Sequence, residues 1–183
     1  NTRGVRRVCE AFLPMIDPEG GRVVNVTSAS GPMFVSRCSP ERRAQLVDPA
    51  IGVEGIEAII EEALAIEQES GQFAAHGLGS GDAYGLSKAL ANAYTQVLAR
   101  AHPRLKVNAC TPGYVATDMT LPAGSQQDPA GLGMKPPREG ARAPLFLLFG
   151  EPGCTGGTSG ATRSGAPSTA TAPRATRPTR ATS

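Results

Sequence analysis

The sequence predicts an α/β fold built on a parallel sheet, and three observations predict it. Two short runs, Arg22–Thr27 and Leu105–Thr111, are almost wholly apolar and rich in β-branched residues, the pattern of strands covered on both faces. Each run follows an amphipathic helical stretch, and helix alternating with strand is the rhythm of α/β domains. The 183 residues, 40% of them hydrophobic, suffice for one domain of ordinary size.

The elements follow in order. Val5, Val8, Cys9, Phe12 and Leu13 recur at i, i+3, i+4, i+7 and i+8, which defines a first helix. It stops where Pro and Gly gather between Pro14 and Gly21. The strand Arg22–Thr27 comes next. Residues 29–80 are less regular, although Val53–Ser70 reads as a helix with Ile56, Ile59, Ile60, Ala63 and Leu64 on one face. Its other face holds Glu57, Glu61, Glu62, Glu67 and Glu69 with no basic residue among them, which reads as a solvated acidic surface. Gln72–Asp82 is a Gly-rich linker. Tyr84–His102 is a strong helix, with Leu86, Leu90, Ala93, Tyr94, Val97 and Leu98 near helical spacing and Pro103 just past its end. Pro112-Gly113 breaks the second strand, Pro122–Pro137 is loop, and Glu139–Phe149 is a short apolar helix.

Beyond residue 154 the character changes. All 29 residues of 155–183 are Thr, Ala, Gly, Ser, Arg or Pro, so nothing there can fill a packed core, and the composition predicts a disordered tail. The domain proper is thus residues 1–154. The abrupt switch also resembles a change of reading frame. The tail carries four Arg and no acid, which leaves residues 1–154 at a net charge of −2. That balance argues against a nucleic-acid-binding core, which needs clustered Lys and Arg facing phosphates. The longest strongly apolar run, Ala143–Phe149, is far short of the roughly 20 residues that cross a bilayer. Cys9, Cys38, Cys110 and Cys154 lack CxxC pairing, and with only two His they build no metal site. They read as reduced thiols in a cytoplasmic setting. There is no N-terminal signal pattern, and the first residue is Asn, so a targeting segment upstream stays open.

Three clusters carry chemistry. Tyr84 and Lys88 stand four residues apart on one helix, hence on one face. An ammonium beside a phenol favours the phenolate and lowers the Tyr pKa from about 10, as acid–base catalysis near neutral pH requires. Asn25-Val26-Thr27-Ser28 ends a buried strand in hydroxyls, and open α/β sheets bind ligands outside the carboxyl ends of their strands. Asn108 to Met119 leaves the second strand through Pro112-Gly113, where the backbone can approach a flat ligand.

These clusters, in this order, resemble the short-chain dehydrogenase/reductase family, most closely its carbonyl-reductase-like branch. The resemblance includes Asn1-Thr-Arg-Gly4, Gly21 to Ser28, Cys38-Ser-Pro40, Tyr84-Gly-Leu-Ser-Lys88, Asn108 to Met119 and Pro137 to Gly157, so it covers roughly residues 1–157. It implies a partial Rossmann-type doubly wound sheet whose first strands are missing, and NAD(P)H-dependent reduction of a small-molecule ketone, aldehyde or quinone to an alcohol. It implies that Ser28 polarises the carbonyl and Tyr84 donates the proton. Lys88 lowers the Tyr84 pKa and binds the nicotinamide ribose, and Asn1 anchors a relay water. Pro112, Gly113, Val115 and Thr117 line the nicotinamide. In this branch NADP is expected ahead of NAD. The spacing of 56 positions from Ser28 to Tyr84 resembles the branch's inserted helix, which keeps its members monomeric.

The chain departs from the family at both ends. The Gly-rich pyrophosphate turn and the residues that choose NAD or NADP lie outside it. Gly77-Leu-Gly79-Ser-Gly81-Asp82 is no substitute, because the third Gly of GxGxxG is misplaced and no buried strand precedes it. The alternative to an enzyme is therefore a truncated, non-catalytic fragment that cannot hold a cofactor. An interaction module using the acidic helix ranks below both. Four features are set aside: the Asn25-Val26-Thr27 sequon, in a strand; His76 and His102, isolated; Asp118, a turn or helix cap; and Cys110, a core filler. Substrate identity lies in the loops Gly31–Val53 and Leu121–Pro137, whose composition is uninformative.

Overall fold

The two apolar runs become neighbouring parallel strands. The structure is a computed structural model and describes residues 1–121, 126–153, 155–161 and 167–170. Strand β1 (Arg22–Val26) pairs in parallel with β2 (Lys106–Thr111), with Val24 opposite Asn108 and Val26 opposite Cys110. The four-stranded sheet runs β1-β2-β3-β4. Here β3 (Thr158–Ala161) is parallel to β2, and β4 (Pro167–Ala170) is antiparallel to β3.

Helices cover both faces, as parallel strands with no polar side demand. On one face, α1 (Thr2–Phe12) and α5 (Ala83–Ala101) pack with Val23 and Val107. On the other, α7 (Arg142–Phe149) sets Ala143 and Leu147 against Val24 and Cys110. The α5 boundaries have local causes. The Asp82 carboxylate accepts the Gly85 amide at 2.8 Å as N-cap, and Pro103 stands two residues past the helix end. Leu90, only 1% exposed, anchors this helix in the core.

Three expectations need correction. The irregular stretch 29–80 holds α2 (Ser30–Arg37) and α3 (Pro40–Leu46) as well as α4 (Val53–Glu69), and part of the linker is a 3₁₀ turn, Phe73–His76. The signal for α3 was Ser39-Pro40: the Ser39 hydroxyl accepts the Arg42 amide at 3.3 Å and Pro occupies the first turn. The acidic face of α4 is not merely solvated. Arg3 meets Glu57 at 2.8 Å and also Glu61, Arg6 meets Glu57 at 3.3 Å, and Arg42 pairs with Glu62. The basic partners come from α1 and α3, so charge counting within α4 could not find them. The helix expected over Glu139–Phe149 is split into α6 (Pro137–Gly140) and α7.

Past residue 154 the sheet is extended by two short strands, β3 and β4. Pairing uses backbone groups that every residue except Pro supplies, so small polar residues can extend a sheet without adding to a core. The junction begins at Thr155, whose hydroxyl accepts the Val107 amide at 2.9 Å, and continues where the Ala109 amide donates to the Gly157 carbonyl at 3.0 Å. The rest of the tail, 162–166 and 171–183, lies outside the described residues, as do Cys154 and residues 122–125.

Cys9, Cys38 and Cys110 are free, buried thiols, and burial pushes all three pKa values up, that of Cys110 to about 11. Among the described residues no helix is long and apolar enough to cross a membrane, and no group of His, Cys, Asp or Glu is placed to hold a metal ion.

Candidate active site

Lys88 is the hub. One turn of α5 places its ammonium 5.5 Å from the centre of the Tyr84 ring, within cation–π range. The same ammonium donates to the Val26 carbonyl at 3.2 Å, which ties α5 to the carboxyl end of β1. Tyr84 is 44% exposed, and among the described residues no hydrogen bond engages its hydroxyl.

Ser28 lies two residues beyond Val26. Its hydroxyl oxygen accepts the Ser30 amide at 3.1 Å and its proton points to the Ser30 hydroxyl at 3.2 Å, while its carbonyl accepts the Gly31 amide at 3.1 Å. This turn opens α2, which presses directly on α5. A Cβ on Gly31 would fall 2.9 Å from the Ala89 amide nitrogen and from the Lys88 carbonyl carbon, so only glycine permits the approach. Ser28 is thereby held beside the Lys88 turn from two directions, through Val26 and through Gly31.

Asn1 reaches the same turn through its neighbour. The Thr2 hydroxyl donates to the Ser87 carbonyl at 3.1 Å, and Thr2 is buried. Asn1 caps α1 through its carbonyl, which accepts the Val5 amide at 3.0 Å, and its side chain makes no cap bond.

The second cluster leaves β2 beside this one. Past the end of β1, the Thr27 amide still donates to the Cys110 carbonyl at 2.7 Å, so the two strand ends stay joined. Pro112 follows, and Gly113 takes a left-handed φ of 84° that disfavours any side chain. Val115 pairs with Lys135 in a parallel bridge, and a Cβ on Gly140 would lie 2.6 Å from a Val115 methyl. Thr117 is fixed by a turn in which its amide donates to the Thr120 hydroxyl at 3.0 Å. Tyr84 and Lys88 are thus in direct contact, Ser28 and Asn1 are tethered to their helix turn, and Pro112 to Thr117 form a separate rigid segment at the adjoining strand end.

Sequence reasoning missed the supports. Asn25 is buried and bridges three elements: its amide donates to the Thr95 hydroxyl at 2.9 Å, and its carbonyl oxygen accepts the Cys9 thiol at 3.5 Å. Thr95 passes its own proton to the Ala91 carbonyl at 2.8 Å. On the opposite face Asn108 is also buried, yet among the described residues neither polar atom of its side chain finds a partner. The available signal was an Asn inside each apolar strand, since a buried amide in such a place demands a partner. The sequon reading of Asn25 is accordingly displaced by this internal role.

No family model matches the chain. It is similar to carbonyl reductase [NADPH] 1 of Rattus norvegicus, 31% identical over 162 residues, covering 85% of this chain and 54% of that protein. The protein of the same name from Homo sapiens is 32% identical over 166 residues, with 85% and 54% covered. (+)-Neomenthol dehydrogenase of Arabidopsis thaliana is 35% identical over 127 residues, covering 68% of this chain and 42% of that protein. Among solved structures, salutaridine reductase from Papaver somniferum superposes with a TM-score of 0.68 at 31% identity, covering 84% of this chain and 50% of that one. Menthone neomenthol reductase from Mentha piperita, at 24% identity and a TM-score of 0.63, shares the fold. The chain spans about half the length of the curated relatives it matches.

Proposed function

The chain belongs to the short-chain dehydrogenase/reductase family, and from that premise we propose that it carries the proton-transfer and nicotinamide-facing part of an NADPH-dependent carbonyl reductase. The observation that carries this reading is the Lys88 ammonium, placed beside the Tyr84 ring and tethered to the carboxyl end of β1.

The residues present fit the nicotinamide end of the cofactor. At Gly113 a Cβ would find its nearest neighbour, the Lys135 side chain, only at 3.8 Å, so the backbone face there is open to a flat ring. Lys88 uses one donor on Val26 and keeps others for a ribose hydroxyl. When bound, NADPH supplies the hydride; the protein supplies orientation and the proton. Ser28 donates its hydroxyl proton in a hydrogen bond to the substrate oxygen and polarises the carbonyl. Tyr84 gives its phenolic proton to that oxygen as negative charge develops on it. The Lys88 ammonium stabilises the phenolate left behind. Asn1 holds the water that reprotonates the Lys88–Tyr84 pair. Pro112, Gly113, Val115 and Thr117 orient the ring. The substrate class is a small-molecule ketone, aldehyde or quinone, and the setting cytoplasmic.

The length between Ser28 and Tyr84 fits a monomer. Helix α4 lies across this stretch, is pinned to α1 by the Arg3 and Arg6 ion pairs, and contributes Ile56, Ile59 and Ile66 to the core. Sedimentation at micromolar concentration checks it, with a single species of 18.8 kDa expected and a dimer contradicting it.

A second reading follows from two features: among the described residues β1 pairs only with β2, and the segment Gly77–Asp82 is preceded by a 3₁₀ turn instead of a buried strand. On this reading the 183-residue chain by itself does not hold the dinucleotide. Calorimetry with NADPH separates the readings, since binding at micromolar affinity removes the second. The chemistry is tested in a chain extended by the half that the longer relatives carry. There Tyr84→Phe is expected to abolish carbonyl reduction while cofactor affinity stays nearly unchanged. Retained turnover removes Tyr84 as proton donor.

A further inference from the structure

Between α4 and the first two turns of α5 lies a cleft of about 490 Å³, within the range of small-molecule sites. It sits behind Tyr84 and Lys88, on the side of α5 that carries Ala83, Leu86, Ser87 and Leu90. We propose that this cleft is a second binding site, specific for an apolar molecule that carries a protonated amine.

The apolar requirement comes from the walls. Phe34, Ile60, Leu64, Phe73, Leu86 and Leu90 line it, and Leu64 at its mouth is 46% exposed, apolar surface that an occupant would cover. The charge requirement comes from the polar groups. The Thr2 and Ser87 hydroxyls already give their protons to the Ser87 and Tyr84 carbonyls, which leaves no hydroxyl donor for an anion. The Arg3 guanidinium is engaged by Glu57 and Glu61. Glu67 and Asp82 also line the cleft, and among the described residues no ion pair reaches either. One Asp82 oxygen caps α5 through the Gly85 amide. The cleft therefore presents oil on its walls and carboxylates at its edge, the complement of an amphiphilic amine. The site adjoins the proposed reductase centre, with Asn1 common to both, and the proposal does not depend on that centre's activity.

Three probes of equal shape test this on the whole chain by calorimetry: phenylpropylamine, phenylpropanol and phenylpropionate. The amine is expected to bind about fivefold more tightly than the alcohol, the worth of a partly exposed charge pair, and the carboxylate more weakly than both. The pair Glu67→Gln and Asp82→Asn erases the preference while Asn still caps α5. Leu64→Trp at the mouth and Ala63→Trp on the wall each fill the cleft and abolish binding of the amine, with circular dichroism confirming the fold. Equal binding of amine and alcohol overturns the proposal, as does binding of none of the three, a preference that survives the carboxylate changes, or amine binding unaffected by both Trp variants.

Discussion

The two faces of the sheet are built to different standards. The α1–α5 face is a finished core. It holds Leu90, Val107, Ile59 and Leu98, and its buried strand amide, Asn25, is satisfied by Thr95 and Cys9, while on α5 the buried Asn92 Oδ1 has no partner among the described residues. The α7 face is thin among the described residues: Cys110, Ala143 and Leu147 meet Val24 and Phe146, the Asn108 amide has no partner there, and Phe149 is 78% exposed. The chemically interesting side chains hang from the first face. Site geometry needs residues whose positions are over-determined, and only that face supplies several tethers to one helix turn.

The contrast can be broken most severely at its anchors. Leu90→Ala is expected to cost about 3 to 5 kcal/mol, because the cavity opens inside close packing that cannot collapse. Leu147→Ala on the thin face should cost nearer to about 2 kcal/mol, since fewer neighbours surround the void. Urea unfolding of the two variants gives the comparison, and equal losses would remove the distinction between the faces.

Alkaline pH reaches buried groups on both faces, Cys9, Cys38 and Tyr94 on the first and Cys110 on the thin one, and a Cys110 variant isolates the thin face. The Cys110 thiol is pushed up to about 11 from an ordinary 9.0 because burial disfavours the thiolate. A raised acid pKa in the folded state means stability that is whole below pH 9 and declines between pH 9 and about 11, by about 2 to 3 kcal/mol in total. Cys110→Ala should flatten that stretch of the stability–pH curve measured by denaturant titration. An unchanged slope assigns the decline to other groups.

The two asparagines sharpen the comparison by sign. Asn25→Leu should destabilise by about 1 to 3 kcal/mol, as it strands Thr95 and the Cys9 thiol, whereas Asn108→Leu should be neutral or stabilising because it deletes an amide that has no partner among the described residues. Thermal melts of the pair decide it, and a loss of equal size at both positions would show that Asn108 has a partner after all. The smallest effect belongs to the surface: Arg3→Ala should lower the melting temperature slightly at low salt and not at all near about 1 M, where screening removes the Glu57 and Glu61 attractions.

What could be read before any coordinates follows the same physical division. The α5 helix was legible because its cap, apolar stripe and terminating Pro are local, and the two strands because burial on both faces leaves an uninterrupted apolar run. Tyr84 and Lys88 were legible because one helical turn fixes their relation. Helix α2 was not, because its stability comes from packing on α5 through Gly31 and Phe34, which no short window contains, whereas α3 carried a local signal in Ser39-Pro40 that is too brief to stand out alone. Strands β3 and β4 escaped composition because pairing needs backbone alone. The ion pairs of α4 escaped because Arg3 and Arg42 are remote in the chain.

The account stands on Ser28 and Tyr84 acting on one carbonyl oxygen. Turnover of Ser28→Ala, Tyr84→Phe and the double variant, in the chain extended by the half its longer relatives carry, tests that most directly. Groups that work as a unit are non-additive, so the double variant should be no slower than Tyr84→Phe alone. Losses that multiply, or a Ser28→Ala enzyme as fast as the parent, would mean that the two hydroxyls do not serve one site.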